Sequence, residues 1–596
     1  MSIGETLTRD AATDLITDFA VEPAGNPAVT HAAGSVTDAR SDNESHAADD
    51  WRRTAVVYQV YPRSFADSDG DGVGDLPGIT SRLGSLAELG VDAVWLSPFY
   101  KSPQADAGYD VADYRDVDPV FGTLSDFDAL LEKAHALGIK VIIDLVPNHS
   151  SDEHVWFQQA LAAAPRSAER ERYVFRDGRG ENGELPPNNW VSCFRGPAWT
   201  RTTNPDGTPG QWYLHLFDTK QPDWNWENSE VRDEFLSVLA FWLDRGADGF
   251  RVDVAHSLIK APGLPDLDSR ALAGPDADPE SFFQTGPMWD QDRVHEVYRS
   301  WRALLDTYSP DRILVAEAWV QPLSRLARYV RRDEMHQAFN FDYLEADWNA
   351  AELRKTIATS TAANEIVSAP TTWVLSNHDV VRHVSRLGLA QARPRPNGIR
   401  ALDDQPDHVL GLRRARAATL LMLGLPGSAY LYQGEELGLP DHTALDDDLR
   451  QDPTWWRSGY TEAGRDGCRV PLPWEADKPG LGFGPTGATW LPQPSSYTEL
   501  SRDRQSNTDG STLEMYKSAL ALRRAFKLGA GSLEWISGLG EDVVGFVNGE
   551  VSVITNMGQA PVALPAGEVL MVSGDIPGDG TLPADTTVWM AAPYTG

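Results

Sequence analysis

The chain has 596 residues, 41% of them apolar, and a formal charge of −35 from 52 basic and 87 acidic side chains. That balance excludes binding to nucleic acid or to an anionic membrane surface, since both demand clustered positive charge, and the length points to two or three domains. Two cysteines, Cys193 and Cys468, are too few for a disulfide framework, the N-terminus lacks a basic start followed by an apolar run, and no stretch is apolar for long enough to span a bilayer, so the expected compartment is the cytoplasm.

Residues 1–50 hold ten acidic residues, two arginines and one aromatic, Phe19. Such a segment buries too little apolar surface to offset its ordering entropy, and a disordered acidic tail is expected. From Trp51 short apolar runs alternate with amphipathic stretches. AVVYQVY (55–61) reads as a strand, GITSRLGSLAELG (78–90) as a helix closed by Gly90, and VDAVWLS (91–97) as a second strand. SDFDALLEKAHALG (125–138) reads as a helix opened by a Ser125/Asp128 capping pair and closed by Gly138, and IKVIIDLV (139–146) as a third strand. A long stretch rich in Pro, Gly, Asn and Trp follows. SEVRDEFLSVLAFWLDRG (229–246) then leads into DGFRVDV (248–254), with further strands at DRILVAEA (311–318), AFNF (338–341), TTWVLS (371–376) and GSAYLYQ (427–433).

Strands that are apolar throughout are buried on both faces, which points to a parallel sheet. Eight strand–helix alternations point to an α/β fold, a (β/α)8 TIM barrel. The expected organisation is a tail over 1–50, a barrel over 51–527, a subdomain inserted after the third strand over 150–220, and a C-terminal all-β domain over 528–596, where DVVGFVNGEVSVITNM shows short strands with glycine turns.

In such a barrel the chemistry sits at the C-terminal ends of the strands. The third strand ends in DLVPNHS, with Asp144, Asn148 and His149; the fourth in GFRVDVAH, with Arg251 and Asp253; the fifth in VAEAW, with Glu317; the seventh in SNHD, with His378 and Asp379. Arg251 and Asp253 are two apart on a strand and share a face. The guanidinium is expected to keep Asp253 ionised, as a nucleophile needs, while Glu317 in a more apolar setting keeps a proton and acts as general acid. Two carboxyls facing across a glycosidic bond are the machinery of glycoside hydrolysis. Separately, DSDGDGVGD (67–75) spaces Asp67, Asp69, Asp71 and Asp75 around the Val73 carbonyl. Hard oxygen ligands at this spacing suit Ca²⁺ or Mg²⁺, although Gly78 at the twelfth position rules out an EF-hand. No organic cofactor is expected.

Together with YQVYPRSF (58–65), GLPGSAYLYQGEE (424–436) and QPDWNW (221–226), these motifs resemble the α-amylase superfamily, glycoside hydrolase family 13, in its oligo-1,6-glucosidase and α-glucosidase branch, over about residues 51–480. The resemblance implies that Asp253 is the nucleophile, Glu317 the acid/base, and Asp379 a transition-state stabiliser that grips sugar hydroxyls, with His149, Arg251 and His378 holding the sugar. It implies that in ADAGYD (105–110) Asp106 binds the terminal glucose and Tyr109 stacks beneath it, and that Arg469 of GRDGCRVPLPW (464–474) pairs with Asp106. It implies further that Val254 faces the leaving sugar and goes with tolerance of α-1,6 bonds, and that the Asp67–Asp75 loop holds one structural ion. The chain departs from the branch at Trp224, where Leu is usual, and at Ala255-His256, where Ile-Asn is usual. The implied enzyme is an exo-acting retaining α-glucosidase that takes small α-glucosides of the maltose, isomaltose or sucrose type through a covalent glucosyl-enzyme. The alternative is an α-glucosyltransferase or a trehalose synthase-like isomerase using the same intermediate. The oligomeric state stays open.

Overall fold

The computed structural model describes residues 50–204, 206–268, 286–308, 311–390 and 396–591; the expected acidic tail, all but its last residue, lies outside the described residues. Eight strands form one parallel sheet: β1 (Val56–Val60), β2 (Ala93–Leu96), β3 (Lys140–Leu145), β4 (Gly249–Val252), β5 (Ile313–Ala316), β6 (Gln337–Ala338), β7 (Thr372–Val374) and β8 (Ser428–Tyr432). Their order is β6-β5-β4-β3-β2-β1-β8-β7, and a parallel bridge between Phe339 and Thr372 joins the two edges, closing the barrel.

The strands are buried along almost their whole length, as a sheet covered on both faces requires. Successive residues divide between two cores. Val57, Trp95, Ile142, Val315, Val374 and Tyr430 pack with one another inside the barrel. Their neighbours Tyr58, Val94, Val141, Leu314 and Leu431 join the larger core beneath the helices. The sixth strand departs from expectation. It ends at Ala338, because the side chain of Asn340 accepts the Tyr343 N–H at 3.1 Å and starts a short helix, Phe341–Glu345.

The helices follow their capping chemistry. Helix α1 (Leu76–Leu89) is opened by the Asp75 carboxylate and closed by Gly90 at φ 95°, a conformation glycine adopts without strain. Helix α2 (Leu124–Ala136) is opened by a capping box of Thr123 and Asp126, not by Ser125 and Asp128. The same signature lies two residues upstream of the expected pair, and the Thr123 hydroxyl is the one in reach of the free Asp126 N–H. Helix α3 (Ser229–Arg245) precedes β4, and α4 (Val294–Leu305), α5 (Ala350–Ile366), α6 (His408–Gly424) and α7 (Thr512–Ala525) cover the remaining barrel wall.

Between β3 and α3 the chain forms a three-stranded antiparallel sheet in the order Phe175–Arg176, Pro209–Leu214, Trp199–Thr203. After α7 it forms a five-stranded antiparallel sheet that packs on α6. There Trp589 donates to the Leu420 carbonyl at 2.9 Å and Thr587 to the Ala417 carbonyl at 2.8 Å. A Cβ at Gly424 would lie 2.6 Å from Val553, so the helix–sheet approach depends on that glycine. Among the described residues no helix is long and apolar enough to cross a membrane.

Candidate active site

The barrel ladder continues past the formal strand ends. The Asp253 N–H donates to the Leu145 carbonyl at 2.9 Å and the Glu317 N–H to the Val252 carbonyl at 3.0 Å, so both carboxyls rise from backbone pinned to a neighbouring strand. Strand parity places Asp144 with Ile142 and Arg251 and Asp253 with each other on the inward face.

Arg251 is the hub of this face. Its Nη1 donates to Asp144 Oδ1 at 2.9 Å and to Asp253 Oδ1 at 2.6 Å, and its Nη2 lies 3.4 Å from Glu317 Oε2. The guanidinium is buried and sits 5.0 Å over the Trp95 ring. Burial pushes Asp144 up to about 6 and raises Asp253 well above the ordinary carboxylate range, with Arg251 opposing both. Burial thus outweighs the guanidinium at Asp253, against the expectation that Arg251 by itself keeps that carboxyl ionised. Glu317 accepts the Val254 N–H at 2.7 Å and the Trp319 indole N–H at 2.9 Å, which fixes both of its oxygens.

Asp379 stands across from this group under different control. Burial would raise it, but the guanidinium charges of Arg465, Arg469 and Arg251 together hold it well below the usual carboxylate range. Arg469 Nη2 donates to Asp379 Oδ1 at 2.9 Å, and Arg465 Nη1 to the same oxygen at 3.1 Å. Burial keeps His378 neutral, and its Nε2 lies 2.6 Å from the Tyr109 hydroxyl. The two rings are parallel within 8°, with centroids 5.4 Å apart, and the Tyr109 hydroxyl also donates to Asp144 at 3.1 Å.

One end of the site is closed by charge. Arg465 Nη2 donates to Asp106 Oδ1 at 2.8 Å, and Gln221 donates to Asp106 Oδ2 at 3.2 Å. Asp452 grips Arg465 from behind at 2.5 Å. The cavity measures about 520 Å³ and is lined by Asp106, Tyr109, Asp253, Glu317, Asp379 and Arg465 among others. A single sugar ring with a leaving group fits that space and those hydrogen-bonding edges.

Residues 59–529 match the family described as Alpha amylase, catalytic domain. This chain belongs to the α-amylase family. Within that family it is 38% identical over 528 residues to a probable alpha-glucosidase of Rhizobium meliloti (strain 1021), covering 85% of this chain and 89% of the relative. It is 37% identical over 505 residues to the oligo-1,6-glucosidase of Parageobacillus thermoglucosidasius, covering 80% and 84%. Among solved structures, an alpha-glucosyl transfer enzyme, XgtA, superimposes with a TM-score of 0.78 at 37% identity, covering 91% of this chain and 99% of that one.

In this α-amylase-family enzyme Asp106, Tyr109, His149, Asp253, Val254, Glu317 and Asp379 line one pocket, while Arg251, His378 and Arg469 hold Asp253, Tyr109 and Asp379 in turn, with one exchange of partners. Arg469 does not pair with Asp106; it turns to Asp379 and the His378 carbonyl, and Arg465 takes its place at the wall. Both arginines lie in GRDGCR, four residues apart, and only the path of the short helix Asp466–Cys468 decides which one faces Asp106. Sequence reasoning missed Arg465, Asp452 and the amide of Gln221. The signal for Gln221 was present in QPDWNW, where it had been read only as a branch signature.

Val254 has φ 42°, a left-handed conformation that a β-branched residue rarely adopts, and its N–H is the one that holds Glu317. In the acidic loop, carboxylate oxygens of Asp67, Asp69 and Asp71 lie within 4.8 Å of one another. Asp75 is not part of that cluster. Its oxygens accept the Gly78 N–H at 2.6 Å and the Ser68 N–H at 2.9 Å, because it caps α1. Val73 enters the loop through its N–H, which donates to Asp71 at 2.7 Å.

Proposed function

We propose that this α-amylase-family enzyme is an exo-acting, retaining α-glucosidase that releases α-glucose from the non-reducing ends of short α-glucosides. The observation that carries the reading is the Asp106–Arg465 pair, which walls off the cavity where an endo-acting enzyme needs an open groove. Asp253 attacks the anomeric carbon while Glu317 gives its proton to the glycosidic oxygen; the bond to the leaving sugar breaks and a covalent glucosyl-enzyme forms. Water then gives its proton to Glu317 and attacks the same carbon, releasing Asp253 and α-glucose. Asp379, kept ionised by its arginines, holds sugar hydroxyls through both steps.

The remaining assignments belong to the same reading. Asp67, Asp69 and Asp71 supply the hard oxygen atoms that one structural Ca²⁺ or Mg²⁺ ion takes. The chain divides into a barrel over 51–527, an inserted subdomain over 150–220 and an all-β domain over 528–596, and the enzyme works on small sugars in the cytoplasm.

A second reading, glucosyl transfer, is favoured by aromatic surface on the leaving-group side. His256 stacks on Trp289 at 5.1 Å and Trp319 on Phe341 at 3.9 Å, and His256, Trp289 and Trp319 line the cavity where an acceptor sugar would replace water. Incubation with maltose, isomaltose, sucrose and trehalose in turn, followed by NMR, separates the two. Early α-glucose is expected. Early β-glucose overturns double displacement, and new disaccharides in place of free glucose favour transfer.

A further inference from the structure

Behind His149 lies a buried cation that touches no part of the pocket. Lys260 is buried, and its Nζ is 2.8 Å from Asp223 Oδ2, 2.8 Å from Asn148 Oδ1 and 2.6 Å from the Ser257 carbonyl. Three N–H donors thus meet three acceptors, so the ammonium is fully used and fixed in direction. Burial lowers its pKa, and the Asp223 carboxylate opposes that shift.

The consequence passes through Asn148. Its Oδ1 takes Lys260 on one side and the Ser257 hydroxyl, at 2.7 Å, on the other. Its Nδ2 is thereby turned the opposite way, donating to Asp223 Oδ2 at 3.2 Å and to His149 Nδ1 at 3.1 Å. A ring nitrogen that faces an amide N–H accepts, so the single proton of a neutral imidazole goes to the other nitrogen. His149 is neutral, since burial pushes it down to about 4. Its Nε2 faces the backbone carbonyl of Tyr109 at 3.1 Å, an acceptor that requires the N–H there. The Gln221 amide nitrogen stands 3.4 Å from that same carbonyl and 3.2 Å from His149 Nε2; with one N–H on Asp106 it turns the other to the carbonyl, because an Nε2 that carries the ring proton cannot accept.

We propose that Lys260 is a positioning residue for the glucose pocket: by fixing the Asn148 amide it places the His149 proton on Nε2, and that N–H anchors the loop carrying Asp106 and Tyr109. This rests on the α-glucosidase reading only for its effect on turnover; the tautomer is a property of the free enzyme. If the amide turned over, Nε2 would face the Tyr109 carbonyl lone pair to lone pair and push the wall of the pocket outward.

The test uses the full chain with labelled histidine, reading the ring nitrogen chemical shifts of His149, assigned by their loss in His149→Asn. The parent enzyme should show Nε2–H. Lys260→Met strands the buried Asp223 charge and threatens the fold, so the decisive variant is the charge-balanced Lys260→Met/Asp223→Asn. There the amide introduced at position 223 can donate where the carboxylate accepted, which turns the Asn148 carbonyl toward His149 and moves the proton to Nδ1. The expected result is an Nδ1–H signature with kcat/KM on an aryl α-glucoside down about tenfold or more, the loss of one well-aligned hydrogen bond. Nε2–H retained in the variant, or Nδ1–H already present in the parent, overturns the proposal. Activity lost at an unchanged tautomer overturns it as well. A parent enzyme that shows Nε2–H but cleaves no α-glucoside would instead defeat the functional reading.

Discussion

Arg465 and Asp106 stand 359 residues apart in the chain and meet as a buried ion pair at 2.8 Å. Asp106 has no second cation in hydrogen-bonding contact among the described residues, whereas Arg465 also holds Asp452 and Asp379. The pair is therefore asymmetric, and the two ways of breaking it differ.

Arg465→Met leaves Asp106 buried with only the Gln221 amide beside it, at a cost of roughly 3–5 kcal/mol for a stranded buried charge. If that cost is borne at the terminal-glucose site, kcat/KM on an aryl α-glucoside falls by hundreds- to thousands-fold. Asp106→Ala should cost less stability, because Arg465 keeps two carboxylate partners, yet it removes the sugar contact and lowers kcat/KM steeply. Neither variant should cut long amylose from within, and rapid internal shortening by the parent enzyme would refute the closed pocket.

Asp253→Asn should abolish turnover with the fold retained, because an amide is not a nucleophile. Glu317→Gln should spare the first step for aryl glucosides with good leaving groups, which need little protonation. Equal losses on activated and unactivated substrates count against Glu317 as the acid.

Stability should fall on both sides of neutrality, for opposite reasons. Burial holds His149, His154 and His215 near about 4, below the ordinary 6.5. Between those values the unfolded chain binds protons that the folded chain refuses, so stability is lost as pH falls from about 6.5 through 4. Burial pushes Glu435 the other way, up to about 8 from 4.5, so the folded state keeps a proton that the unfolded state releases, and stability is lost as pH rises through that window. Glu435→Gln removes the second effect. Its Tm should gain on the parent's as pH goes from 5 to 8, and a gap independent of pH in thermal melts would contradict this.

Chelator should lower Tm, with activity lost only as the fold is lost, because a ligand that binds the folded state alone stabilises it by mass action. Asp69→Ala and Asp71→Ala should each abolish the chelator effect. Immediate loss of activity at unchanged Tm would point to a catalytic ion.

Val254 joins the nucleophile to the acid, since it follows Asp253 and its N–H holds Glu317. Val254→Thr keeps the β-branch and the backbone, so the fold should stand while the isomaltose-to-maltose ratio of kcat/KM falls. An unchanged ratio removes Val254 from linkage choice.

Local rules were enough wherever the deciding interaction lies within a few residues. Strand apolarity and inward parity gave the barrel and put Arg251 and Asp253 on one face, and glycine closed α1 at Gly90. The same local rules failed where two similar candidates competed, as at Thr123/Asp126 against Ser125/Asp128. The motifs named the carboxyls, but the electrostatics came from packing: Asp379 is ionised because two arginines from a distant loop reach it, and Asp253 is raised because burial and its neighbours outweigh Arg251.

Sequence by itself determined the fold, the three carboxyls and the positions at which they leave their strands, because each depends on periodicity and residue type along one segment. Only the tertiary structure decided which arginine closes the pocket and which groups face the two ring nitrogens of His149. Those depend on which side chains from remote segments share a dry space, where a single charge or hydrogen bond admits one arrangement and a difference of an ångström selects the partner.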